Sequence, residues 1–130
     1  MNSKWILAAS AVFMAVLGLA ATFLPQELAA AAGINGGPIA ALSIQITGAL
    51  YLGFAMTNWM AKGSAIGGIY NRPLSIGNLL HFFVAAAALG KAVAHGNHTP
   101  ALVVVTVIYI VFALAFVKLV FAPSAKTAAS

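Results

Sequence analysis

The chain has 130 residues, 63% of them hydrophobic and 5% charged, with a single acid, Glu27, against six Lys and Arg. A soluble domain carries about 25% charged residues, so water is excluded as the main solvent and lipid is expected instead. Six cations spread along the chain form no basic run or stripe, which argues against nucleic acid. The lack of cysteine removes any disulfide framework, thiolate metal site or redox dithiol.

A helix crossing the ~30 Å hydrocarbon layer needs about 20 mostly apolar residues. The first stretch that qualifies is 5–24. Its start, "MNSKWILAASAVFMAVLGLA", has the basic end and apolar run of a signal peptide, but the run is long enough to span and is expected to be retained. Pro25 closes it. "QELAAAA" then follows, with helix formers throughout and Glu27 near a helix start, where its charge suits the dipole. A short helix in the outer interface is expected there, keeping the one acid in water and out of the spans. A carboxylate driving proton-coupled export would have to lie well inside a span.

The second span is expected at 39–60, the third at 74–94 and the fourth at 101–121. They are set off by "GINGGP", "KGSAIGGIYNRP" and "HGNHTP". Pro38, Pro73 and Pro100 each fall at a helix start, where the missing N–H would have no partner. "GINGGPIAAL" and "HGNHTPALVV" echo one another across two helical hairpins, an echo of common turn residues for which coincidence is the simpler account. The predicted fold is an all-α, four-transmembrane-helix bundle forming one domain over 1–130, with a short interfacial helix after the first span. With both termini cytoplasmic, Lys4, Lys62, Arg72, Lys118 and Lys126 lie on the inner side and only Lys91 on the outer. The opposite orientation would reverse the positive-inside bias.

Polar residues gather around the predicted cytoplasmic turn. Tyr51, Ala55, Asn58 and Lys62 share one face of the second helix, and Gly77, His81, Ala85 and Ala88 one face of the third, with Asn78 beside it. At about 1.5 Å per residue, Asn78 and His81 lie roughly 8 and 12 Å below the cytoplasmic end of their helix. Tyr51, Asn58, Asn78 and His81, with Lys62 and Arg72 at the mouth, are therefore a candidate binding site for a small polar or anionic molecule, a lipid headgroup or a quinone ring. The plainer account is interhelical packing, with Lys62 and Arg72 anchoring the inner interface against anionic lipid. Packing is favoured for the bundle's centre and a headgroup or anion contact for its rim.

Gln45-x-x-Gly48-Ala49-x-x-x-Gly53 reads as a helix-contact strip. Thr106 and Tyr109 on the fourth helix are placed to meet His81 or Gln45, unless Thr106 bonds its own backbone. His95 and His98 in "HGNH" are two ligands without a third nearby, and read as exposed loop histidines. His81 alone would ligate haem only with a second histidine at its depth, and none is there. Trp5 and Trp59 are expected as inner-interface anchors, with Lys91 and Lys118 snorkelling near helix ends. No nucleophile, base and orienter arrangement, phosphate loop or acid pair is present, so neither a catalytic site nor a cofactor is expected.

The stretches "ATFLPQELAA", "QITGALYLGFAMTNWMA" and "GGIYNRPLSIGNLLHFFVAAAALGK" together resemble small four-helix bacterial inner-membrane proteins of the DoxX-like and related uncharacterised type, over about residues 10 to 95. The resemblance implies a four-helix bundle in the bacterial inner membrane, sometimes an accessory partner of redox or biosynthetic membrane enzymes. The function expected is a non-enzymatic accessory or small-ligand- or lipid-binding subunit, in contact with membrane lipids and working as a homo-oligomer or with a larger membrane partner. A small oligomeric transporter or channel subunit, and a haem- or quinone-linked redox subunit, are the alternatives.

Overall fold

The computed structural model describes residues 3–63, 71–96 and 98–121. Most of the "KGSAIGGIYNRP" turn, Asn97 and Lys126 lie outside those residues. All the secondary structure described is helical: α1 Ser3–Phe23, α2 Pro25–Ala31, α3 Gly37–Ala61, α4 Arg72–Ala94 and α5 Pro100–Phe121. Helices α1, α3, α4 and α5 have 21, 25, 23 and 22 residues and are long and apolar enough to cross a membrane. Each expected span is recovered to within two residues at either end. Pro38 and Pro73 lie in the first turns of α3 and α4, and Pro100 opens α5.

Contacts divide the chain into two compact units, Leu7–Gly63 and Ser64–Ser130 with Met1–Ile6. Within Leu7–Gly63, α2 is the short helix expected after the first span, with Glu27 exposed in its first turn. It packs against α3 and has Pro25 and Ala29 buried. A Schellman motif ends it. Gly33 takes φ +70°, Ile34 N–H donates to Ala29 O at 2.8 Å and Gly33 N–H to Ala30 O at 3.1 Å. The left-handed residue lets these two amides turn back onto carbonyls the helix leaves open.

Helices α1 and α3 run antiparallel and touch backbone to backbone. A Cβ added at Gly48 would lie 2.8 Å from Thr22 Oγ1, 2.9 Å from Ala21 Cβ and 2.9 Å from Gly18 O. A Cβ at Gly18 would meet Leu52 Cγ at 2.8 Å and Gly48 O at 3.0 Å. Two facing glycines thus set the interhelical distance, and only hydrogen fits between them. Such an approach gains contact for every atom along the crossing. Gln45 spans the same crossing, donating from Nε2 to Thr22 O at 3.4 Å.

In the other unit α4 and α5 pair through rings. Phe82 is fully buried and stacks on Phe112 (centroids 4.9 Å apart, planes at 27°) and on Phe116 (5.6 Å, 11°). Tyr109 lies 5.4 Å away at 58°. Tyr109, Phe112, Ala113 and Phe116 are positions i, i+3, i+4 and i+7 of α5, the four that form a hole for one knob. Phe82 is that knob.

The same seven-residue rhythm marks all four long helices. Buried or half-buried positions step by fours and threes through Leu7, Ala11, Met14, Gly18 and Ala21 of α1, and through Ala41, Ile44, Gly48, Tyr51, Ala55 and Asn58 of α3. They run through Ser75, Asn78, Phe82, Ala85 and Leu89 of α4, and through Leu102, Thr106, Tyr109, Ala113 and Phe116 of α5. A strict heptad keeps one stripe facing a partner along the whole length.

Gly48→Ala is expected to lower stability in detergent by about 1–3 kcal/mol, because its methyl would press on backbone that cannot move aside. Gly53→Ala, where a Cβ meets nothing within 4 Å, should be neutral or slightly stabilising. Thermal unfolding of the two variants side by side measures the difference.

Candidate functional site

The six residues singled out in the sequence fall in both units: Tyr51, Asn58 and Lys62 in Leu7–Gly63, Arg72, Asn78 and His81 in Ser64–Ser130.

Asn58 is fully buried on the α3 seam. Its Nδ2 donates to Ser10 Oγ at 3.1 Å and lies 4.0 Å from Met14 Sδ. Ser10, also fully buried, passes its own proton to Leu7 O at 2.9 Å. The result is a short chain of donors, α3 amide to α1 hydroxyl to α1 backbone, that fixes the register of the two helices. Toward the other end of α1 the crossing is pinned by Gln45 and Thr22, whose hydroxyl returns to Gly18 O at 2.7 Å. Between these two polar pins lies the Gly18–Gly48 contact. Tyr51 is half-buried, one step along the seam from Gly48.

Lys62 caps the C-terminal end of α3. Its Nζ sits 2.7 Å from the centroid of the Trp59 ring, a cation over a π face. Trp59 is about half exposed, so the pair lies at the rim of the unit.

In the second unit Arg72 is exposed at the first residue of α4. Asn78 is fully buried and donates from Nδ2 to Leu74 O at 3.0 Å, one turn back on its own helix. Ser75 does the same to Asn71 O at 3.1 Å. His81 is half-buried, its ring edge-on to Phe82 at 5.0 Å and tilted over Tyr109 at 5.7 Å. The expected meeting of His81 with Tyr109 is therefore present as a ring contact. Thr106 takes the plainer course and bonds Leu102 O at 2.7 Å.

His95 is exposed and caps α4, its Nδ1 lying 2.8 Å from Lys91 O. A ring N–H there is a second donor to a carbonyl that already accepts the His95 backbone N–H at 3.0 Å. Among the described residues no group of three or more His, Asp or Glu is placed to hold a metal ion.

Ser10, Gly18, Thr22 and Phe82 escaped the sequence reading. Ser10 is set among alanines and Gly18 between Leu17 and Leu19, and the local signal was the seven-residue step from Ala11 to Gly18 on the seam. Phe82 sits in "HFF", where nothing local separates the buried ring from exposed Phe83.

No protein-family model, no curated protein and no solved structure matches this chain.

If Ser10 and Asn58 share one hydrogen bond, Ser10→Ala and Asn58→Ala should be non-additive. A double-mutant cycle on unfolding in detergent is expected to give a coupling of about 0.6 kcal/mol, and no more than about 1.7, the range for polar pairs between membrane helices.

Proposed function

We propose that this chain is a four-span integral membrane protein, termini on the cytoplasmic side of a bacterial inner membrane, acting as a non-enzymatic accessory or lipid-binding subunit of a membrane assembly. The observation that carries the reading is an inverted distribution of residue types. The buried positions include Ser10, Asn58, Ser75, Asn78 and Thr106, while Val16, Ile39, Leu50, Leu80, Phe83, Val111 and Leu114 are each more than half exposed. In water that arrangement would be unfavourable on both counts, since it hides hydrogen-bonding groups and wets large aliphatic ones. In hydrocarbon it is what both kinds of residue favour.

The non-enzymatic part rests on how the interior polar groups are engaged. Ser10, Asn78 and Thr106 donate to backbone carbonyls one turn away, and Asn58 donates to Ser10. These are structural uses, and such groups hold helices in register. The assembly part rests on α3, where Ala49 and Gly53 form an exposed small-residue strip with open space beyond the glycine. Small residues on an outer face admit close approach of another helix. The orientation is argued from the sequence: with both termini inside, Lys4, Lys62, Arg72, Lys118 and Lys126 would lie on the cytoplasmic side and Lys91 on the other. The resemblance to DoxX-like proteins belongs to the same proposal.

The natural chain has no cysteine, so single-cysteine labelling has no background. Gly63→Cys and His98→Cys should react with an impermeant maleimide from opposite sides of the membrane, Gly63→Cys only after the cytoplasmic face is opened. Labelling of both from one side would overturn the topology. Native mass spectrometry from mild detergent should recover the chain with copies of itself or a second membrane protein; a bare monomer would contradict the accessory role.

A further inference from the structure

The α1–α3 pair carries an outer furrow of about 180 Å³ lined by Ala11, Val12, Ala15, Ala55, Met56 and Trp59, with no polar surface along it. Three alanines make its floor, and Val12, Met56 and Trp59 its walls. The furrow runs along α3 from Ala55 toward the helix end, where Lys62 lies over the Trp59 ring. From Ala55 to Lys62 the helix rises about 10 Å, which matches the upper half of an acyl chain beneath its headgroup. Apolar trough, indole at the rim and ammonium beyond it follow the order of parts in a phospholipid: chain, glycerol level, phosphate.

We infer that this furrow is a site for one anionic phospholipid of the inner leaflet, its acyl chain along Ala11, Ala15 and Ala55 and its phosphate paired with Lys62. The inference rests on the membrane reading above. It commits to an anionic lipid because Lys62, the residue over the Trp59 ring at the furrow's end, is a cation. The second outer furrow gives the contrast. That one, about 260 Å³ between α4 and α5, is lined by Phe83, Ala86, Ala87, Ile110, Ala113 and Leu114 and has no charged residue among them. It would take acyl chains without regard to headgroup.

The test is retention of phosphatidylglycerol against phosphatidylcholine of identical acyl chains, added in equal amounts to the purified full-length protein and read by native mass spectrometry. The unaltered chain should prefer phosphatidylglycerol by about fivefold, the worth of one basic residue at an anionic surface. Lys62→Gln should abolish the preference, and Ala15→Phe, which fills the trough, should lower phosphatidylglycerol retention while leaving Lys62 in place. Dibrominated-chain phosphatidylglycerol should quench Trp59 emission more than Trp5 emission, resolved with Trp5→Phe and Trp59→Phe. Equal retention of both lipids, a preference that survives Lys62→Gln, or undiminished phosphatidylglycerol retention by Ala15→Phe would overturn the site. Alkaline carbonate extraction separates this from the parent reading: a chain resisting extraction yet showing no headgroup preference refutes the lipid site alone, and one released by carbonate refutes both.

Discussion

An amide or hydroxyl inside hydrocarbon has no water to turn to, and each one left unmade costs several kcal/mol. In the membrane reading proposed above, that constraint organises this protein. The backbone meets it by being helical through every long apolar stretch. Hydroxyl side chains meet it by bonding back on their own helix: Ser43, Thr47 and Thr57, on the exposed face of α3, each return their hydroxyl to a carbonyl three or four residues earlier. A hydroxyl tied in this way can face lipid at little expense, which is why α3 tolerates polar residues on its outside as well as on its seam.

Once bonding is satisfied locally, helix association has to come from packing, and the two units solve that differently. In α1–α3 the side chains are removed at the crossing, so that Gly18 and Gly48 bring two backbones together, with polar pins above and below. In α4–α5 the space is filled, with Phe82 set among Tyr109, Phe112 and Phe116. Both routes maximise close contact, the first by approach and the second by area. The first tolerates no added atom at Gly48. The second depends on one ring.

Much of this was legible in the sequence because it is written in punctuation and composition. The long apolar runs, the prolines at Pro38, Pro73 and Pro100, and the break after Leu24 fixed five helices without reference to tertiary structure. The common face of Tyr51, Ala55, Asn58 and Lys62 is likewise a local property, and the structure keeps those residues on the seam of α3. What was not legible is which residue each of them meets. Asn58 donates to Ser10, 48 residues away on α1, a bond that no local reading of α3 contains. Helices that are apolar all round carry almost no amphipathic signal, so the contact face must be read from small and polar residues, and Ala, Gly and Ser recur on every side of α1. Register between two helices depends on both at once, and no window of one of them contains it.

The central claim is that lipid, and not water, is the solvent of the outward faces. Spin labels at Leu19, Leu50, Leu80 and Val107, introduced one at a time in place of exposed residues and reconstituted in bilayers, test it directly by collision with oxygen and with a water-soluble nickel chelate. The account requires high oxygen and low chelate accessibility at all four, with both low at Met14 and Phe82, which are fully buried on the seams. Ready access of the chelate to Leu50 or Leu80 would contradict it.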